Sequence, residues 1–245
     1  MADARVESGL KVEPIMSPIA ENLQAVRSRI SEALQGDSRA VTLVAVSKTR
    51  PAAAVAEALA AGQRDFGENY VQEALGKIGA LAGRGAVWHF IGHLQGNKAK
   101  DVARHFDWVH GVDRERIAGL LSRGRPDGMA PLQVCVQVNI SQEATKSGVA
   151  PGETLALARA VAALPGLRLR GVMGMASPSG DEARQRAEFG VLRGEFEALK
   201  AAGLDVDTLS MGMTHDYPAA LAQGATMLRI GTAIFGERRI EEKTA

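Results

Sequence analysis

Apolar residues recur along this chain in two spacings, and the two alternate. The segment SPIAENLQAVRSRISEAL, from Ser17, carries apolar residues at helical spacing behind a serine cap and a proline in the first turn, which predicts a helix. Beyond it, short apolar runs predict strands: VTLVAVS (41–47), RDFGE (64–68), VWHFIG (87–92), DWVHGV (107–112), LQVCVQVN (132–139), LRLRGVMGMA (167–176), DTLSMGM (207–213) and TMLRIGTAIFG (226–236). The second and fourth are short and polar, and are the least strand-like of the set. Amphipathic, Ala-rich stretches between the runs predict helices near 51–61, 69–82, 96–104, 113–123, 151–163, 181–202 and 216–223. In AAGQRDFGEN and AQGATMLRIG a glycine follows such a helix and reads as its C-terminal cap.

Eight strands alternating with helices, with no Pro/Gly/Ser-rich linker between them, imply one parallel sheet in one domain over residues 17–240, preceded by a loose arm over 1–16. Eight such units in about 250 residues fit the α/β class as a closed (β/α)8 TIM barrel. An open doubly wound sheet is the alternative, but no G-x-G-x-x-G follows the first strand.

Composition narrows the function classes. The 245 residues are 46% hydrophobic and 23% charged, with a formal net charge of +1 and only 4% aromatics, so nothing suggests a nucleic-acid surface. The opening MADARVESGLKVEP has no apolar core of a signal peptide, and no run is long enough to span a bilayer. The one cysteine, Cys135, lies within an apolar strand and reads as a small core residue in a reducing compartment. A cytoplasmic protein is expected.

A barrel of this kind concentrates its chemistry at the C-terminal ends of its strands. Those ends carry Lys48, then Glu68-Asn69-Tyr70, His89 and His93, His110, Asn139, Met175, the segment SMGMTHD (210–216) and RIGT (229–232). The last two combine hydroxyls with glycines whose backbone can approach an anion closely, where barrels often bind phosphate; the plainer reading makes Gly212 and Gly231 tight turns. For Lys48 the plain reading is a snorkelling side chain with its head in water. Its rival is a Schiff-base lysine that attacks an aldehyde once partial burial or a neighbouring cation frees its amine of a proton. A phosphate site across the mouth favours the rival and suggests a phosphorylated aldehyde. His89 and His93 stand four apart, but on a strand and a loop, without H-E-x-x-H or nearby cysteines, so a metal is not expected.

The motifs LVAVSKT, FGENYVQEALGK, WHFIGHLQGNK, GVMGMA, LSMGM and MLRIGTAIFGER, in this order from about Val41 to Arg238, resemble the pyridoxal 5′-phosphate (PLP) homeostasis protein family, single-domain relatives of the alanine racemase N-terminal barrel. The resemblance implies a PLP-binding barrel of fold type III. By position it makes Lys48 the lysine of the internal aldimine and sets Asn69 and His89 beside the cofactor ring. It assigns Ser210, Thr214, Gly231 and Thr232 to the phosphate cup, and Arg229 to the pyridine nitrogen. The family's usual SMGMSxD reads SMGMTHD here, so Thr214 replaces a serine and keeps its hydroxyl.

A guanidinium cannot give up its proton at working pH, so Arg229 would leave the ring nitrogen unprotonated and the ring a weak electron sink. A two-base racemase also needs an acid–base residue on the face opposite the lysine, which alanine racemase takes from a further β-rich domain. With this chain ending nine residues after Gly236, no such domain is expected, and Tyr70 and Tyr217 are the only tyrosines. The expectation is therefore a monomeric, non-catalytic PLP carrier serving vitamin B6 homeostasis, with PLP-dependent apo-enzymes as recipients and no nucleic-acid or membrane partner. A PLP-dependent amino-acid racemase and a cofactor-free aldolase acting through Lys48 are the alternatives.

Overall fold

The Ser17 Oγ accepts a hydrogen bond from the Ala20 amide at 3.4 Å, and helix α1 (Pro18–Leu34) follows. Leu23, Val26 and Ile30, three and four apart, form its buried face. Each such side chain contributes roughly 1.5–3 kcal/mol when fully buried. The computed structural model describes residues 17–34, 36–143 and 145–237, so the arm expected over 1–16 and the end of the domain at 238–240 lie outside the described residues.

After α1 come β1 (Thr42–Val46) and α2 (Ala52–Ala60), β2 (Asp65–Glu68) and α3 (Val71–Ala80), β3 (Val87–Phe90) and α4 (Ala99–His105), then β4 (Trp108–Val112) and α5 (Glu115–Gly124). The second half holds β5 (Leu132–Gln137) and α6 (Thr154–Ala162), β6 (Leu167–Met173) and α7 (Glu182–Ala201), β7 (Thr208–Ser210) and α8 (Tyr217–Ala222), then β8 (Met227–Ile230) and the single turn α9 (Thr232–Phe235). The strands pair in parallel in chain order, and β8 returns to β1 with Thr42 beside Met227 and Ala45 beside Ile230. This is the closed (β/α)8 barrel; the open sheet is excluded.

All eight expected strands form, β2 and β4 included. Their polar look follows from what lines the barrel. Successive side chains on a strand point to opposite faces. On β2, Phe66 joins the apolar layer under the helices, while Gly67 faces the lumen, where a Cβ would lie 3.0 Å from Ile91 Cδ1 and 3.1 Å from Val44 Cγ1. On β4, Val109 packs outward, and His110 crosses the lumen to β7. The expected glycine caps are also in place. Gly62 (φ 82°) and Gly224 (φ 93°) take the left-handed conformation and donate to the Leu59 and Leu221 carbonyls, each at 3.0 Å.

Several strands end earlier than their apolar runs. The largest difference is the run at 226–236: β8 stops at Ile230, and the amides of Ile234 and Phe235 both donate to the Gly231 carbonyl at 2.9 Å, closing one helical turn. A single turn is too short to show a helical period, so TAIF reads as strand. The runs at 132–139, 167–176 and 207–213 likewise outlast their strands by two or three residues.

Candidate functional site

Two groups of polar residues occupy the barrel, one at its mouth and one within its lumen. At the mouth, Lys48 lies two residues past β1, half-buried, just before Thr49, whose φ of 63° is rare for a β-branched residue. A cavity of about 50 Å³ is lined by Val46, Lys48, Thr49, Arg50, Gly231 and Thr232. Arg50 Nη2 donates to the Gly236 carbonyl at 2.5 Å and so ties the turn after β1 to the end of α9. Gly231 is held small by its neighbours: a Cβ there would meet the Val46 carbonyl oxygen at 3.1 Å. Gly212, at φ 94°, lies where a Cβ would meet Ala220 Cβ at 2.7 Å, and its carbonyl accepts from the Arg229 amide at 2.9 Å. The turn that follows is fastened by Asp216, whose Oδ1 accepts from the Met213 amide at 2.5 Å, and Thr214 lies half-buried within it. Asn69, just past β2, is half-buried with its Oδ1 out of contact with water and without a hydrogen-bond partner. A buried acceptor left unpaired is costly, and marks a place that a ligand donor can fill.

Inside the lumen, the Arg229 guanidinium donates from Nη1 to Ser210 Oγ at 2.7 Å and from Nη2 to the Gly174 carbonyl at 3.0 Å. Ser210 Oγ lies 2.9 Å from His110 Nδ1, His110 Nε2 lies 3.0 Å from His89 Nδ1, and His89 Nε2 lies 3.0 Å from Asp65 Oδ1. The two ends fix the direction of the chain, because a guanidinium only donates and a carboxylate only accepts. The arrangement that satisfies every link has the Ser210 hydroxyl donating to His110 Nδ1, His110 Nε2–H to His89 Nδ1, and His89 Nε2–H to Asp65. Both imidazoles are then neutral. Burial above all, and then electrostatic repulsion from its neighbours His89 and Arg229 against a second positive charge, hold His110 well below its ordinary value of 6.5, which agrees with that assignment. Burial also lowers Arg229 to about 10, against the pull of Asp216, so the guanidinium stays charged at neutral pH. Cys135 is fully buried, and burial pushes its thiol up to about 12, an inert group.

The structure thus brings Lys48, Gly231 and Thr232 to one cavity, and sets Ser210, Arg229 and His89 on one hydrogen-bonded chain. Ser210 is bonded to Arg229 and His110 and does not line the cavity of Gly231 and Thr232. His89 is fully buried and stacks on Trp108 with ring centroids 5.4 Å apart. His93 sits in the loop after β3, 3.2 Å from Ser147 Oγ. His110, which the sequence marks only as a strand-end residue, is the middle link, and Asp65 is the unanticipated end. A histidine on each of two adjacent strands was the available hint. Among the described residues no three His, Cys, Asp or Glu side chains are grouped to hold a metal, and no helix is long and apolar enough to cross a membrane.

The closed barrel is of the alanine racemase N-terminal domain class: the family described as "Alanine racemase, N-terminal domain" matches residues 17–239. The chain is 57% identical over 226 residues to the pyridoxal phosphate homeostasis protein of Pseudomonas aeruginosa, covering 91% of this chain and 97% of that one. To the protein of the same name from Escherichia coli it is 50% identical over 234 residues, covering 93% and 100%. Among solved structures, that of PipY from Synechococcus elongatus with PLP bound superposes with a TM-score of 0.78 at 38% identity, over 89% of this chain and all of that one. The chain belongs to the pyridoxal phosphate homeostasis protein family.

Proposed function

We propose that this protein binds PLP at the C-terminal mouth of its barrel, holds it covalently through the Lys48 amine, and stores and delivers it without appreciable turnover of amino acids. The observation that carries the reading is the cavity shared by Lys48, Gly231 and Thr232, with a buried cationic Arg229 two residues before Gly231. The donor set suits the cofactor: an amine for an aldehyde, hydroxyl and glycine backbone for a phosphate, a permanent donor for a ring nitrogen, and the orphaned Asn69 Oδ1 for a further polar group. The relatives named above for pyridoxal phosphate homeostasis, and the PLP-bound PipY structure, support the same reading.

When bound, PLP supplies an aldehyde that condenses with a primary amine and a ring that can take up electron density. The chain's own residues limit the second property. Arg229 is fixed from two sides, by Ser210 and by the Gly174 carbonyl, and cannot hand a proton to a ring nitrogen it faces. Thr214, Gly231 and Thr232 serve the phosphate, and Gly231 leaves the backbone accessible because any side chain would run into Val46. Within this reading Ser210 orients Arg229 toward the ring nitrogen and does not line the cavity of Gly231 and Thr232. The protein works in the cytoplasm as a monomer and passes PLP to PLP-dependent apo-enzymes.

The test is to add PLP to the purified protein, reduce with borohydride, and map the modified peptide. The label is expected on Lys48. PLP-loaded protein incubated with L-alanine and other common amino acids is expected to give D-isomer, keto acid and amine no faster than free PLP. Label elsewhere removes the Lys48 assignment, and multiple turnovers lost in Lys48→Ala replace the carrier with a racemase.

A further inference from the structure

The segment FGENYVQEALGK supplies three charged residues that the cofactor reading leaves unused: Glu68, Glu73 and Lys77. They meet under the turn that carries Lys48. Lys77 is 4% exposed, and its ammonium donates three hydrogen bonds, to Glu68 Oε1 at 2.7 Å, to Glu73 Oε1 at 2.6 Å and to the Ser47 carbonyl at 2.6 Å. An ammonium has three protons, so all are used. The Ser47 hydroxyl donates to the same Glu68 oxygen at 2.5 Å, and the Thr49 amide donates to Glu73 Oε1 at 2.5 Å.

The pattern is specific to one place. The residue before Lys48 is held by its carbonyl and its hydroxyl, and the residue after it by its amide, while the cluster lies on β2 and α3. Glu73 and Lys77 are one helical turn apart on α3, and Glu68 is the last residue of β2. Thr49 is held at a φ of 63°, one of two non-glycine residues with positive φ among the described residues. A β-branched residue enters that region only when its surroundings impose it. Burying an ion cluster gives little net stability, because desolvation offsets the attraction; burial indeed drives Glu68 above its ordinary range, against Lys77 and Ser47. A gain in stability is thus a poor reason for this cluster, and fixing one backbone geometry is a better one.

We infer that Glu68, Glu73 and Lys77 are positioning residues for Lys48: they clamp Ser47 and Thr49 so that the intervening side chain enters the cavity beside Gly231 and Thr232. The inference rests on the reading of Lys48 as the residue that holds PLP, and adds how its reach is set. The clamp acts on the covalent step and not on anion binding, because it touches neither Gly231 nor Thr232. A displacement of about 1 Å in a reacting group can cost on the order of 10²-fold in rate.

The experiment uses Glu73→Ala and Glu73→Gln, since Glu73 is the most exposed member, at 29%, and its loss leaves Lys77 paired with Glu68. Lys77→Met is less suited, because it strands a buried carboxylate. Three quantities are measured on each folded variant and on the wild type: the rate of borohydride-reducible adduct formation with PLP, the affinity for pyridoxamine 5′-phosphate, which has no aldehyde, and the unfolding midpoint. Glu73→Ala is expected to slow adduct formation at least about tenfold, with pyridoxamine 5′-phosphate affinity unchanged. Glu73→Gln, whose amide oxygen still accepts from Thr49, is expected to recover most of the rate. Wild-type adduct rates in Glu73→Ala, or an equal loss of both ligands, overturn the clamp while the cofactor reading stands. A wild type that forms no reducible adduct overturns the cofactor reading and this inference together.

Discussion

Lys48 and Arg229 belong to neighbouring strands of one barrel, yet they are seated in opposite ways. Arg229 is within β8, 4% exposed, and its partners come from Ser210 on the adjacent β7 and from Gly174 just past β6. Lys48 is beyond β1, half-buried on a turn whose flanking residues are held from the neighbouring strand and helix. The difference matches the roles proposed for the two side chains. The charge that Arg229 presents is held in place by its hydrogen bonds to Ser210 and Gly174. The turn that carries Lys48 is fixed through its backbone, by the Ser47 carbonyl and the Thr49 amide.

Lys48→Ala tests that division most severely. It is expected to abolish the reducible PLP absorbance entirely while the unfolding midpoint stays near wild type, because a half-buried side chain past the strand end contributes little to the core; a residual band read by absorbance after borohydride would move the covalent role to another lysine. Gly231→Val strikes the region between the two seats. Its side chain meets the Val46 carbonyl and fills the small cavity. With hydrogen bonds to a charged group worth about 1.5–3 kcal/mol each, PLP affinity is expected to fall about tenfold to a hundredfold in a titration, and unphosphorylated pyridoxal is expected to bind wild type correspondingly weakly. Equal affinities for pyridoxal and PLP would remove the phosphate from the reading.

The lumen seat carries a pH signature that the mouth does not. His110 has a folded-state pKa depressed below 6.5, so at neutral pH both folded and unfolded chains hold it neutral and nothing is lost. As pH falls below about 6.5 the unfolded chain takes up the proton first, and stability drops by up to about 1.4 kcal/mol per pH unit until the folded-state value is reached. Denaturant titrations between pH 7 and 5 are expected to show this slope in wild type and to show it reduced by one proton in His110→Asn. An unchanged slope would mean that His110 is already protonated in the fold, and would break the neutral assignment of the chain. The smallest effect is expected from Thr214→Ser. It removes one methyl, worth about 0.8 kcal/mol, and keeps the hydroxyl, so PLP affinity measured by titration should shift by no more than about fourfold.

The barrel was legible in the sequence because its signal is repetitive: apolar runs at the strand positions and Ala-rich helices between them. Even DFGE and WVHGV, with their polar lumen-facing residues, kept their place in the alternation. The short α9 escaped because Thr232–Phe235 is a single turn with strand-like composition. Lys48, Gly231 and Thr232 were legible as strand-end residues, and the structure gathers them at one cavity. What the chain order does not display is pairing between distant residues of unlike type. Ser210 looks from sequence like one more hydroxyl beside SMGMT, but its position within β7 turns it inward to Arg229 and His110. Glu68 reads only as a strand-end polar residue, and Glu73 and Lys77 as the solvated face of an amphipathic helix, since nothing local records that β1 ends directly above them.

The closure of β8 onto β1 has a consequence for the order in which the molecule assembles. His110 and Ser210 are 100 residues apart, and Thr42 and Met227 lie at opposite ends of the described chain. Such distant pairings carry the largest loop-closure cost and are late events for any chain emerging from its N-terminus. Until they form, His110 lacks the Ser210 hydroxyl, and Gly231 has no Val46 to abut. The mouth therefore comes into existence only when the last strand has docked. A chain in which β8 has not docked keeps Lys48 but not the cavity beside it, so on the proposed reading ligand binding doubles as a report that the barrel has closed.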